Sequence, residues 1–318
     1  MTRVPSVENP FHRAIYLTGP TASGKTAVGV ALAKLLNAEV IALDSMTLYR
    51  GMDIGTAKPT PQERQGVPHH QIDVLDPRES WSVADYRDQA TEIVAGIEAK
   101  GKRALFVGGT ALYMKALLRG LFEGPAADPG LRDELEREAE ALGDPALHAR
   151  LAVVDPITAA RLHPNDRRRV VRALEVAALT GRPLSTFQNE HGRHAPAGVH
   201  VFAMERDRGE LCGRIDRRVV QMFDQGFVEE VRRLMNGPHP LHIVPAQAVG
   251  YREVIDLLEG RASLPETVAS IQLRTRQFAK RQRTWVRGLA EVRPWPVATD
   301  DEPEDIAGRL AELILLKI

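Results

Sequence analysis

The sequence predicts an α/β fold in which helices cover a parallel sheet and a separate all-helical segment interrupts the core. Over the first 120 residues, short apolar runs typical of strands alternate with longer stretches typical of helices. This alternation indicates a parallel sheet with helical crossovers. From about residue 123 the pattern is helical throughout, and a strand-like run returns at 199–204. We therefore expect a core formed by 1–122 and 196–318, and a helical insertion at 123–195.

The boundaries of individual elements follow from capping residues and apolar periodicity. Ser82 is a good N-cap for one helix, and Gly181 followed by Pro183 is a strong stop for another. The predicted strands are 14–17, 40–43, 104–107 and 199–204. The predicted helices are 25–36, 82–99, 110–118, 129–141, one that begins near Pro156, 165–180, 207–235, 265–287 and a short docked helix at 310–316.

An eight-residue loop follows the first predicted strand and has the pattern GxxxxGK[ST]. It consists of Gly19, Pro20, Thr21, Ala22, Ser23, Gly24, Lys25 and Thr26. Between a strand and a helix, such a loop presents backbone N–H groups to a polyphosphate at the helix N-terminus. Lys25 would reach the outer phosphates, and the Thr26 hydroxyl would bind Mg²⁺. The core is therefore predicted to be of the P-loop nucleoside-triphosphate-hydrolase type, with a phosphorylated ligand.

Composition excludes several classes of protein. The chain has 318 residues, 43% hydrophobic residues and a formal net charge of zero. No apolar run reaches the roughly 20 residues of a membrane helix, and the N-terminal stretch lacks the apolar centre of a signal peptide. Cys212 is the only cysteine, which excludes internal disulfides and a cysteine zinc site. We expect a cytoplasmic monomer with no obligate protein partner.

Basic residues are nevertheless concentrated in two segments, 161–182 and 274–287. Local basic stripes on a neutral chain favour docking of a polyanion at a chosen face. Within 265–287, Val268, Ile271, Thr275, Phe278 and Trp285 are predicted to share the apolar face, with Arg281 turned toward the core. A solvated basic face is the alternative for this helix.

Two other segments are expected at the carboxyl ends of strands, near the P-loop. They are Asp44 and the Gly108-Gly109-Thr110 sequence. At that position Asp44 could hold Mg²⁺, accept a proton from a nucleophile or cap a helix. The residues alone do not decide among these roles. The neighbouring pair His69-His70 has no metal-ligand spacing, and we expect a loop that packs over the site.

Six stretches, taken together, resemble the tRNA dimethylallyltransferases, also called tRNA isopentenyltransferases of the IPP transferase family. They are GPTASGKT at 19–26, DSMTLYRGMDIGTAKP at 44–59, VGGTALY at 107–113, HPND at 163–166, VGYR at 249–252 and RQFAKRQRTW at 276–285. The resemblance implies transfer of a dimethylallyl group from dimethylallyl diphosphate to the exocyclic 6-amino group of an adenosine. That adenosine is next to the anticodon of a tRNA, on its 3′ side.

The resemblance also implies roles for individual residues. Asp44 would be the base that takes the amino proton, and Thr110 would lie near the reacting centre. Lys25 and Thr26 would bind diphosphate and Mg²⁺. The arginine that contacts the diphosphate would be Arg218 rather than Arg214, with Arg217 as a neighbouring candidate.

The family's tRNA contacts match positions in both predicted domains, and the helical insertion would grip the anticodon stem-loop. These positions are Asp44, Ser45, Met46, Thr47, Thr110, Arg132, Arg168, Arg169, Val170, Val171, Arg172, Gln247, Ala248, Val249, Gly250, Tyr251, Arg252 and Arg281. Some relatives carry a basic residue where this chain has Gln247. Two other classes remain as alternatives: a small-molecule P-loop kinase or NTPase, and a catalytically silent tRNA-binding protein.

Overall fold

A computed structural model describes residues 9–121, 124–187, 195–196, 198–237 and 241–316. The chain divides into two compact units. The first consists of Met1–Leu118 with Ala195–Ile318, and the second of Arg119–His194. The predicted insertion, 123–195, covers nearly the same residues as the second unit. No helix in the described parts of the chain is long and apolar enough to cross a membrane.

A six-stranded sheet, parallel in every strand pair, forms the centre of the first unit, as the alternating pattern predicts. Its strands are β1 (Ile15–Thr18), β2 (Ala38–Ala42), β3 (His69–His70), β4 (Arg103–Val107), β5 (His200–Glu205) and β6 (Arg293–Pro296). Their order across the sheet is β3-β2-β4-β1-β5-β6. All four predicted strands are confirmed, with ends that differ from the prediction by at most two residues.

The helices of the first unit are α1 (Lys25–Leu35), α2 (Pro61–Arg64), α3 (Val83–Glu98), α4 (Ala111–Arg119), α10 (Arg208–Asp224), α11 (Phe227–Met235), α12 (Ile243–Ala246), α13 (Tyr251–Leu258), α14 (Leu264–Arg287) and α15 (Pro303–Leu315). Those of the second unit are α5 (Pro129–Leu142), α6 (Asp144–Val154), α7 (Pro156–Ala159), α8 (Arg167–Thr180) and α9 (Leu184–Phe187). The last residue of α4, Arg119, lies across the division between the units.

Both faces of the sheet are buried, so successive residues of a strand pack into two different hydrophobic cores. Tyr16 and Phe106 stack with ring centroids 5.0 Å apart on the face that packs against α3 and α4. Ile15 and Leu17, one residue to either side of Tyr16, pack on the other face against α1 and α15. A third cluster joins the segment around Tyr49 to α10, α11, α13 and α14.

Several elements differ from the prediction. The helix expected at 207–235 is two helices, because Gly226 adopts φ +94°, a conformation that helical residues do not have. The helix expected from Pro156 is a single turn, and an unpredicted longer helix, α6, precedes it. The loop expected at His69-His70 is instead the edge strand β3, paired with Val40 and Ile41.

The apolar face predicted for α14 is also wrong in part. Phe278 and Trp285 are 38% and 43% exposed, whereas Ala279, Gln282 and Val286 are buried. Arg281, expected to turn toward the core, is exposed and lies over the Phe278 ring at 5.9 Å. The helix is thus rotated relative to the prediction, and a polar residue, Gln282, lies on its buried side.

Candidate active site

The site lies where four parallel strands end, and backbone hydrogen bonds hold the segments that follow them together. The Gly108 N–H donates to Leu17 O at the end of β1, over 3.1 Å. The Leu43 N–H donates to Val107 O at 2.9 Å, and the Thr110 N–H donates to Leu43 O at 3.0 Å. The P-loop, Asp44 and Thr110 therefore start from one edge of the sheet, as expected for ligand sites in parallel α/β sheets.

Three arginines surround the P-loop, and each contacts a different residue of the loop. Arg214 Nε donates to Ala22 O at 2.8 Å, and Arg206 Nε donates to Ser23 O at 2.9 Å. Arg218 Nη1 lies 3.4 Å from the Thr21 hydroxyl. Arg217, the remaining candidate, is exposed, whereas its neighbour Arg218 contacts the loop. Arg206 follows β5 directly and was not predicted.

Lys25 lies inside the loop, and its Nζ donates to Pro20 O at 2.6 Å. Burial lowers its pKa to about 7; the charge of Arg218 adds to this effect, and Asp44 partly offsets it. A bound anion would strongly stabilise the charged form of this ammonium group, because the group is already desolvated and lies near another cation. The arrangement is that of an anion site with an excess of positive charge.

Asp44 and Thr110 both accept hydrogen bonds from the backbone at the start of the segment after β2. Asp44 Oδ1 accepts a hydrogen bond from the Met46 N–H at 2.8 Å, and Thr110 Oγ1 accepts one from the Ser45 N–H at 3.2 Å. Burial raises the pKa of Asp44, an effect opposed by the Met46 amide and by Lys25. A carboxylate with a raised pKa is better suited to accept a proton than an ordinary surface aspartate. The helix-cap alternative does not apply, because no helix begins at this segment.

Gln282 of α14 brings a third element into the site and was not predicted as a site residue. Its Oε1 accepts from the Thr21 N–H at 2.8 Å, and its Nε2 donates to Gly109 O at 3.1 Å. The side chain is 7% exposed. The signal available in the sequence was its position in the RQFAKRQRTW stretch, where it falls between Phe278 and Trp285 on the predicted apolar face, but it was not interpreted as a site residue.

The rest of the 44–59 segment is fixed by a buried carboxylate. Glu230, 1% exposed, accepts hydrogen bonds from the N–H groups of Asp53, Ile54 and Gly55 and from the Tyr251 hydroxyl, all within 3.1 Å. Three backbone donors and a phenol leave this carboxylate well satisfied. Glu230 and Tyr251 thus hold the backbone that leads away from Asp44.

In the second unit, another buried carboxylate forms ion pairs with two of the arginines predicted to bind RNA. Glu175 accepts from Arg132 Nε at 2.8 Å, from Arg172 Nη1 at 2.6 Å and from the Asp128 N–H at 2.8 Å. Arg168 and Arg169 are exposed on the same helix, and Arg169 pairs with Asp166 at 3.0 Å. Among the four arginines of this unit that were predicted to bind RNA, two are therefore exposed and two are half-exposed and fixed in position.

Comparison with known proteins decides which family has this arrangement. The family model described as IPP transferase matches residues 47–289, and a second, described as Isopentenyl transferase, matches residues 13–77. The first match alone covers most of the chain. The chain belongs to the IPP transferase family.

Relatives of this IPP transferase match it over most of their own length. The tRNA dimethylallyltransferase of Geobacter metallireducens is 47% identical over 282 residues, which cover 88% of this chain and 91% of the relative. The crystal structure of the full-length tRNA isopentenylpyrophosphate transferase of Bacillus halodurans is 40% identical, with a TM-score of 0.70 and coverage of 96% and 98%. A eukaryotic dimethylallyltransferase acting on tRNA is 26% identical, with a TM-score of 0.78 and coverage of 94% and 77%.

Burial corrects part of the list of RNA contacts expected in this IPP transferase. Val170, Val171 and Tyr251 are at most 3% exposed, so their side chains are not part of the surface open to RNA in this structure. The two valines fill the core of the second unit, and Tyr251 binds Glu230. Thr47 is also buried, at 6%. Gln247, Arg252 and Arg281 are exposed.

The oxygen atoms near the P-loop fit a hard cation such as Mg²⁺, whose remaining ligands would come from the substrate and from water. No group of three or more histidine, cysteine, aspartate or glutamate side chains in the described residues could hold a metal ion alone. Mg²⁺ is commonly bound by few protein oxygens, with substrate phosphates and water completing its shell. The Thr26 hydroxyl, in the first turn of α1, and the Asp44 carboxylate are oxygens of that kind. His70 is not such a ligand, since its Nε2 lies 2.7 Å from Glu39.

Proposed function

We propose that this protein transfers a dimethylallyl group from dimethylallyl diphosphate to the exocyclic 6-amino group of the adenosine on the 3′ side of a tRNA anticodon. The observation that carries the proposal is the Asp44 carboxylate beside a cationic P-loop, in a chain of the IPP transferase family. In that combination Asp44 would act as a proton acceptor next to an anion-binding loop. The names of the relatives support the substrate pair.

Each part of the site has a role in the transfer. The adenine nitrogen attacks the allylic carbon, the carbon–oxygen bond breaks, and its electron pair leaves with the diphosphate. Lys25 and Arg218 stabilise the charge that develops on the leaving oxygen. Asp44 takes the proton that the amino group loses. Thr110, through its bond to the Ser45 N–H, fixes the turn that carries Asp44.

Mg²⁺ would be held by Thr26 together with diphosphate oxygens. When bound, it neutralises part of the diphosphate charge and makes the diphosphate a better leaving group. We place the activity in the cytoplasm, with a monomeric enzyme, and we assign the second unit to the anticodon stem-loop. Its exposed arginines, Arg168 and Arg169, support this assignment because contacts to phosphates position RNA.

A competition experiment distinguishes this proposal from a P-loop kinase or NTPase. Radiolabelled dimethylallyl diphosphate and radiolabelled ATP are each offered with Mg²⁺ and unmodified tRNA. We expect label to move from dimethylallyl diphosphate to tRNA, with no tRNA-dependent or small-molecule-dependent use of ATP. Phosphoryl transfer or hydrolysis of ATP without prenylation would support the kinase reading. Binding of tRNA without either reaction would support a silent binder.

A further inference from the structure

One buried side-chain amide connects the two loops on which the proposed reaction depends. Gln282 points from α14 into the space between the P-loop and the loop after β4. It accepts from the Thr21 N–H at 2.8 Å and donates to Gly109 O at 3.1 Å. With 7% of the residue exposed, water cannot readily replace either bond.

Only a residue with a donor and an acceptor on one short fork can make both bonds. A glutamate at this position would keep an acceptor for the Thr21 N–H but would turn a second acceptor toward Gly109 O. Gly109 itself must lack a side chain, because a Cβ there would lie 2.3 Å from Gln282 Nε2 and 3.2 Å from Gly19 O. The contact of Gln282 with the two loops therefore has a fixed geometry, both at Thr21 and at Gly109.

The two loops serve different parts of the proposed reaction: one lies at the diphosphate, and the other lies near the proposed base. On one side, the Thr21 hydroxyl lies 3.4 Å from Arg218, next to the diphosphate position. On the other side, Gly109 precedes Thr110, whose hydroxyl accepts from the Ser45 N–H beside Asp44. A continuous series of hydrogen bonds and peptide links thus runs from the diphosphate loop through Gln282 to the proposed base.

We propose that Gln282 is a positioning residue that sets the distance between the diphosphate-binding loop and the loop that carries Thr110. It thereby aligns the allylic carbon with the amino group that attacks it. The inference rests on the proposed function and deepens it. Transfer rates depend steeply on such alignment, and a displacement of about 1 Å can reduce a rate about 100-fold.

The test compares Gln282→Met, which keeps the length of the side chain and removes both bonds, with the matched control Gln277→Met. Gln277 is exposed on the same helix, one and a half turns earlier. We measure single-turnover transfer at saturating tRNA and dimethylallyl diphosphate, together with Kd for tRNA and for Mg²⁺-pyrophosphate. Pyrophosphate titration also gives the fraction of folded sites, so that rates are compared per active site.

We expect Gln282→Met to transfer about 10- to 100-fold more slowly than the wild type, with both Kd values within about threefold. Gly109→Ala would displace the Gln282 amide through the added Cβ, and it should likewise slow transfer while leaving both Kd values nearly unchanged. Gln277→Met should match the wild type.

Three results would overturn the inference. One is a Gln282→Met rate within twofold of the wild type. Another is an unchanged rate with weakened tRNA binding, which would make Gln282 an RNA contact. The third is an equal loss of rate and pyrophosphate affinity in Gln282→Met and Gly109→Ala, which would indicate a merely structural role. If the wild type itself transfers nothing, the proposed function fails and this inference fails with it.

Discussion

At the scale of single residues, Lys25 shows how the fold prepares an anion site. Its burial among P-loop atoms and the nearby Arg218 charge bring its pKa down to about 7. A bound diphosphate adds negative charge next to the ammonium group and so raises this pKa again. Above pH 7 the free site has lost much of its Lys25 proton, and ligand binding must restore it.

We therefore expect Mg²⁺-pyrophosphate to bind more weakly as the pH rises through 7, and its binding at pH 8 to be accompanied by uptake of most of a proton at Lys25. Titration calorimetry at pH 8 in two buffers of different ionisation enthalpy measures this uptake. Lys25→Arg keeps its charge at every pH and is the matched control, because the proton released or taken up by pyrophosphate itself is common to both. Equal uptake by the two proteins would remove Lys25 from the pH dependence.

At the scale of elements, α8 separates two kinds of arginine that the sequence presents as one run. Arg172 is tied to the buried Glu175, whereas Arg168 and Arg169 are exposed at the start of the helix. Arginines that contact phosphates release counterions, and each contact changes the salt dependence of binding by a recognisable amount. The exposed pair is therefore expected to account for more of the salt dependence of tRNA binding.

Replacement of Arg168 and Arg169 by alanine should weaken tRNA binding and reduce the slope of log K against log salt by about 1.5. Transfer at saturating tRNA should change much less. Arg309→Ala is the control, since Arg309 is also exposed and paired with an aspartate, Asp301, but lies on α15. Filter-binding titrations between low and moderate salt measure the slope. A slope that stays the same in the double variant would place the RNA on another surface.

The comparison of sequence and structure is also clearest at this scale. Elements with a buried apolar run or a strong cap, such as β1, α3 and α8, could be predicted because local physics determines them. The edge strands could not: β3 has two histidines, and β6 contains two prolines, which sequence patterns exclude from most strands. Each pairs with a neighbour that already belongs to the sheet, so tertiary context decides. The rotation of α14 depends likewise on the packing of Ala279 against the P-loop and α10.

At the scale of the whole molecule, the parts of the site predicted from sequence are those in contiguous stretches. The P-loop, Asp44 and Thr110 each follow a strand, and the rule for parallel sheets brings them to one edge. Gln282 and Glu230 come from later parts of the chain, and they reach the site only because of how α11 and α14 pack. Long-range contacts of this kind leave no strand-end pattern in the sequence, and only the position of Gln282 in the RQFAKRQRTW stretch pointed toward the site. Arg206 directly follows β5, so the rule for parallel sheets could have found it.

The measurement that tests the central claim most directly follows the product. The protein is incubated with dimethylallyl diphosphate, Mg²⁺ and an unmodified tRNA whose anticodon loop carries a run of adenosines, and the digested nucleosides are analysed by mass. We expect a dimethylallyl mass gain on adenosine. In Asp44→Ala the gain should fall at least about 100-fold, since a general base contributes about that much or more, with tRNA affinity within a small factor. A wild-type protein that produces no prenylated adenosine, or an Asp44→Ala variant with unchanged turnover, would contradict the account.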